Sequence, residues 1–178
     1  RETLSESDFV VIQDIVFNKT SEYADVIFPA TAWGEHEAVY SACDRRFQRV
    51  HKLVDPDPNV KTDWEILCLV ATAMGYPMHY NNTEEIWDEM ISLSPKYYGA
   101  TYEKMEANYG IQWPCYTRDP EDKGTKILHE GATFNKPEGK GHFYFFPFTP
   151  VKEKETEEFP LSLSTVREVG HYSVRTMT

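Results

Sequence analysis

The sequence predicts an α/β fold, a small parallel sheet with helices against it, on three observations. Two apolar runs, Phe9-Val10-Val11-Ile12 and Val26-Ile27-Phe28, stand a short crossover apart and end in polar or proline residues. Unbroken apolar runs of this length suit inner strands covered on both faces. Lys61 to Gly75 then carries the start and stop signals of a helix. In open α/β sheets, ligands bind beyond the carboxyl ends of the strands, which here are Gln13, Asp14 and the stretch after Pro29.

The elements follow in order. Phe9 to Asp14 is the first strand, Ile15 to Tyr23 a loop or short helix, and Ala24 to Pro29 the second strand. Val39-Tyr40 and Phe47-Gln48-Arg49-Val50 are short strands around a turn, and Asp55-Pro56-Asp57-Pro58-Asn59 is loop chemistry. Thr62 with Glu65 makes a capping box, and Gly75 with Pro77 ends that helix. Trp64, Leu67, Cys68, Ala71 and Met74 form its apolar face, expected to pack on the sheet. Further helices are predicted from Asn82 to about Leu93 and from Tyr97 to Asn108. Residues 112–140 are rich in turns, and 141–146 read as a strand. The charged run from Val151 to Glu158 reads as a linker, and Pro160 to Thr165 as a strand opening a new unit.

Composition narrows the function classes. The 178 residues carry 29 acidic and 18 basic side chains, a net charge of -11 that argues against binding duplex nucleic acid. No apolar run is long enough to span a membrane, so any membrane association is expected to be indirect. Arg1 in place of Met fits a chain cut from something longer. Cys43, Cys68 and Cys115 are far apart with no C-x-x-C pair, so no metal or iron–sulfur site is expected. Cys68 is expected in the core, and a reduced, cytoplasmic setting is the natural default.

Three segments carry candidate chemistry, each with an ordinary structural alternative. Glu35-His36-Glu37 cannot converge on one centre, because consecutive side chains diverge; it is an exposed polar turn or contributes one His–carboxylate pair. Asp63 stabilises the dipole of its helix, or offers two acceptors matching the N1–H and exocyclic amine of guanine. Thr165 to Ser173 is a polar loop, or a set of donors for phosphate or a polar heterocycle. No nucleophile elbow, zinc-protease motif, P-loop or G-x-G-x-x-G occurs. No catalytic residue and no metal ligand is assigned.

The run Gln13 to Pro29, then Trp33-Gly34-Glu35-His36-Glu37, Asp44-Arg45, Lys61-Thr62-Asp63-Trp64 and Thr165 to Ser173, resembles the molybdopterin oxidoreductases in motif order. Met74 to Asn82 and Tyr98 to Tyr102 point within that family to the formate dehydrogenase H type. The resemblance covers nearly the whole chain. It implies a partial Rossmann-like domain over residues 1–150, with an open, mainly parallel sheet that binds a molybdopterin guanine dinucleotide. A linker over 151–159 and the first strand of a β-barrel dinucleotide-binding domain over 160–178 would follow. The parent is expected to be an oxidoreductase interconverting formate and carbon dioxide with molybdenum or tungsten. A 4Fe-4S cluster and the catalytic residues are expected outside this chain, and the isolated chain is expected to be inactive. Electron-transfer or hydrogenase subunits are the expected partners.

By motif, Gln13 and Asp63 are expected at the guanosine end, with Asp14 beside them. Ala30 stands where relatives carry a small polar residue, leaving at most a backbone contact. Arg167, Glu168, His171 and Ser173 are expected at the pterin–phosphate portion. Val166, where the wider family often has glycine, matches the formate dehydrogenase variant. A nitrate reductase or another family member, and a non-catalytic guanine-nucleotide-binding module, stay open as alternatives.

Overall fold

The computed structural model describes residues 2–166 and divides into two compact units, Arg1–Glu130 and Gly131–Thr178. The first unit is mixed α/β. A short helix α1 (Glu2–Ser5) leads to β1 (Val11–Asp14), which pairs in parallel with β2 (Val26–Pro29), Val11 opposite Val26 and Asp14 opposite Pro29. The crossover is drawn tight by Asn18. Its amide nitrogen donates to Asp14 at 2.7 Å, and its oxygen accepts from the Thr20 backbone at 2.8 Å.

A second, antiparallel sheet has the order β3 (Ala38–Ser41), β4 (Arg46–Val50) and β5 (Ile111–Gln112). The turn between β3 and β4 puts Arg45 at φ 67°, and its guanidinium crosses to the carbonyls of Trp113, Thr125 and Lys126. Helices α2 (Asp63–Ala73), α3 (Thr83–Ser92) and α4 (Tyr102–Ala107) complete the unit. Asn82 caps α3 by accepting from the Glu85 backbone at 3.0 Å. The third predicted helix starts later than expected, at Tyr102. Gly99 there packs so closely on Cys115 and Thr117 that an added Cβ would lie 2.1 Å from the Thr117 carbonyl oxygen.

The core lies against the antiparallel sheet. Phe47 meets Trp87 and Tyr97 edge to face at 5.0 and 5.2 Å, with Ile91, Met105, Ile111 and Cys115 buried around them. The Trp87 indole donates to the Ala100 carbonyl at 2.6 Å, so its polar edge is satisfied inside.

Three expectations are corrected. β1 and β2 are not covered on both faces, since Phe9, Val11 and Ile27 are exposed. On α2 the buried residues are Ile66 and Cys68, while Leu67 and Met74 face outward at 57% and 82% exposure. The run Ile66-Leu67-Cys68-Leu69-Val70 is apolar on every side, so periodicity alone does not select the packed face. Residues 141–146 and 160–165 join no ladder; a strand needs a neighbour for its backbone groups, and no described residue supplies one.

In the second unit, the Phe134 backbone donates to Gly139 at 3.1 Å and His142 lies 3.4 Å from the Glu138 carboxylate. The aromatic run Phe143 to Phe146 is exposed. Among the described residues, no helix is long and apolar enough to cross a membrane.

Candidate functional site

Parallel pairing places the carboxyl ends of β1 and β2 side by side. The chain continues from β2 through Ala30, which donates its backbone N–H to the Asp14 carbonyl at 3.1 Å and forms a parallel bridge with Lys61. Thr31 then donates to the Lys61 carbonyl at 3.2 Å. These two contacts carry Lys61 and the start of α2 to the strand ends, fifty residues along the chain from Gln13 to Asp63.

There the Gln13 side-chain amide donates to Asp63 Oδ1. Asp63 is the first residue of α2, at the positive end of the helix dipole, where a carboxylate is favoured. Thr62 precedes it in extended conformation, donating its N–H and hydroxyl to Glu65 at 2.9 and 2.7 Å. Those bonds, the hydroxyl's first, hold the Glu65 carboxyl below its ordinary range against the upward push of partial burial. Glu65 is therefore occupied in holding the helix start. Asp63 Oδ2 and Gln13 Oε1 meet no donor among the described residues, so the pair presents two acceptors.

The other expected residues fall out differently. The Asp14 carboxylate is taken up locally, accepting from Ile15 N and Asn18 Nδ2, both at 2.7 Å. It shapes the turn after β1. Ala30 is buried at the strand ends and offers only backbone. Arg167, Glu168, His171 and Ser173 lie outside the described residues.

Glu35, His36 and Glu37 diverge as expected. Glu35 accepts from Ala32 N at 2.8 Å, His36 Nδ1 pairs with the Thr31 hydroxyl at 2.8 Å, and Glu37 bonds Thr83 and Arg49 at 2.7 and 3.0 Å. Among the described residues no His, Cys, Asp and Glu cluster is arranged to hold a metal. Sequence reasoning missed Thr31 and Lys61, which join the strand ends to the helix. Thr31 was signalled only by its place just after a strand-ending proline, and Lys61 by its place before the capping box and in the Lys61-Thr62-Asp63-Trp64 motif. A cavity of about 380 Å³, lined by His36, Thr62, Trp64, Trp87 and Tyr102 among others, opens beside Asp63.

The molybdopterin oxidoreductase profile matches residues 1–73, which contain the strand ends and all of α2. Formate dehydrogenase H of Escherichia coli K12 is 51% identical over all 178 residues, which span 25% of that protein.

Residues 1–73 of the chain thus match the molybdopterin oxidoreductase family.

The α subunit of F420-dependent formate dehydrogenase 2 from Methanococcus maripaludis is 40% identical over 98% of the chain and 26% of its own length. A nitrate reductase of Symbiobacterium thermophilum is 33% identical over 97% of the chain and 25% of its own length. The chain thus spans about a quarter of the length of these relatives.

Proposed function

We propose that this chain is part of a formate dehydrogenase α subunit and grips the guanosine end of a molybdopterin guanine dinucleotide. The carrying observation is the Gln13–Asp63 pair at the strand ends, with two acceptors unspent. Guanine presents two adjacent donors, N1–H and the exocyclic amine, and a carboxylate beside an amide oxygen is complementary to that edge. The donor set therefore fits the group. Ala30 contributes backbone only, and Asp14 supports the site by fixing the turn after β1.

In this reading residues 1–150 form the second half of a Rossmann-like cofactor domain, 151–159 a linker, and 160–178 the start of a β-barrel domain. Arg167, Glu168, His171 and Ser173 approach the pterin–phosphate portion from that second domain. The bound group supplies molybdenum or tungsten for the interconversion of formate and carbon dioxide. This chain's residues bind and orient it, while the metal-binding residue and a 4Fe-4S cluster belong to the rest of the protein. Electron-transfer subunits in a cytoplasmic setting complete the proposal. The formate reading rests on the 51% and 40% relatives, against 33% for the nitrate reductase.

The test is acid release of GMP from the purified full-length protein, alongside formate oxidation and nitrate reduction. Wild type should yield bound GMP and oxidise formate, and Asp63→Ala should lose most of both. Full GMP content in Asp63→Ala overturns the grip, and nitrate turnover without formate turnover favours the other branch. GMP release with neither turnover points to a guanine-nucleotide-binding module.

A further inference from the structure

In a chain of net charge -11, four cations of the first unit gather around one cavity that none of the residues assigned above lines. Arg46 on β4, with Lys123 and Lys126 on the loop after β5, lines a cavity of about 290 Å³ together with Asn108, Gly110 and Gln112. Arg45 lies beside it, its guanidinium bonded to the Thr125 and Lys126 carbonyls at 3.1 and 3.0 Å and paired with no carboxylate among the described residues.

The scaffold under these cations is fixed. Thr125 donates its backbone N–H to the Gln112 carbonyl at 2.8 Å, and Gly124 forms a parallel bridge with Gln112. The Asp122 carboxylate accepts from the Gly124 backbone at 3.0 Å and from Thr117 N at 2.9 Å, closing the turn from below. Gly110, which also lines the cavity, has φ 108°, and a Cβ there would lie 2.9 Å from Arg46 Cδ. Its missing side chain is what lets the Arg46 stem lie along the cavity.

Compensation is thin. Arg46 meets one carboxylate, Asp44, at 3.2 Å with both side chains substantially exposed. Lys123 Nζ donates only to the Pro120 carbonyl at 2.8 Å. Lys126 Nζ meets no acceptor among the described residues. Clustered like charges on a rigid concavity oppose folding unless a counter-ion neutralises them, which makes such a cavity a focus for anions.

We propose that this cavity is an anion site for a phosphate-type oxyanion. A guanidinium and two ammonium groups suit a tetrahedral dianion better than a single carboxylate, since each donor finds a separate oxygen. The site shares no residue with the Gln13–Asp63 grip and stands or falls independently of it.

The experiment is calorimetric titration of the full-length protein with inorganic phosphate at constant ionic strength, with chloride as balancing salt. Wild type should bind phosphate, and the exposed-side-chain variant Lys123→Ala/Lys126→Ala should weaken the Kd about tenfold or more. Lys19→Ala, distant in the chain and equally exposed, should leave it unchanged. Melting curves in phosphate against chloride keep the test open if heats are small: a phosphate-specific rise in Tm lost in the double variant supports the site. An unchanged Kd in the double variant, or an equal Tm rise in chloride, overturns it as general screening.

Discussion

Gln13 donates its side-chain amide to the Asp63 carboxylate, tying the end of the first strand to the start of α2 across fifty residues of chain. The bond spends one carboxylate oxygen on the fold and leaves the second toward the strand ends. A carboxylate held by a neutral amide keeps its full charge and gains a fixed orientation, which is what recognition of a paired donor edge requires.

This arrangement separates charge from shape at one position. Asp63→Asn keeps the size of the side chain and places an amide donor where the proposed guanine contact needs an acceptor. GMP content of the full-length protein should fall about tenfold or more, in line with the ~1.5–3 kcal/mol of a charge-assisted bond. Gln13→Ala should lower it less, because the charged carboxylate stays while the neutral amide acceptor and its hold on Asp63 are lost. A Gln13→Ala effect equal to that of Asp63→Asn would show that the charge of the carboxylate adds nothing beyond what the amide supplies.

The helix start beneath the site is pH-sensitive. Hydrogen bonds from Thr62 hold the Glu65 carboxyl below its ordinary range. A carboxyl depressed on folding stabilises above its unfolded value, and that contribution fades as pH falls through its folded one. Thr62→Ala should cost about 1 kcal/mol near neutral pH, a typical loss for a helix cap, with solvent screening the charged part. Urea melts of wild type and variant should converge on acidification below the usual glutamate range. A gap that widens with acid would contradict the assignment.

Arg45 gives a stability test away from the Gln13–Asp63 pair. Its guanidinium satisfies three carbonyls, of Trp113, Thr125 and Lys126, and lies 5.7 Å over the Trp113 ring. Arg45→Lys keeps the charge but one ammonium cannot span three diverging acceptors. It should lose about 1–3 kcal/mol, nearly as much as Arg45→Ala. Full rescue by lysine, read from denaturant melts, would mean that charge alone matters.

Local signals were legible wherever the chain folds on local rules. The capping residues of α2 and α3, the two parallel strands and the β3–β4 pair stand where turn chemistry and apolar runs put them. Burial was less legible. The α2 run is apolar all round, and β1 and β2 show exposed apolar faces, so the sequence pattern describes more covering than this stretch of chain supplies. β5 is two residues long and leaves no periodic trace. At the site, Gln13 and Asp63 came from motif order, and their mutual bond is a long-range fact no local window carries. Asp14 looked like a ligand because it ends a strand; its turn partners lie within four residues and claim both oxygens.

The cysteines offer the last test, because their environments differ sharply. Cys43 is exposed, whereas Cys115 is fully buried with Lys104 Nζ 3.3 Å from its sulfur. Burial pushes the Cys115 thiol up, and the Lys104 ammonium opposes that without cancelling it. A thiol held protonated is a poor nucleophile, so iodoacetamide at neutral pH should modify Cys43 well before Cys115 in the full-length protein. Lys104 also donates to the Thr117 carbonyl at 2.8 Å, so Lys104→Met should cost about 1–3 kcal/mol by leaving that carbonyl only the long 4.0 Å contact from the Cys115 thiol. With the ammonium gone the thiol pKa rises further, and Cys115 alkylation in the folded variant should slow at a given pH. Peptide mapping of alkylated sites across a pH series reads both effects. Cys115 labelling as fast as Cys43 in wild type would sink the account of a sealed, protonated thiol.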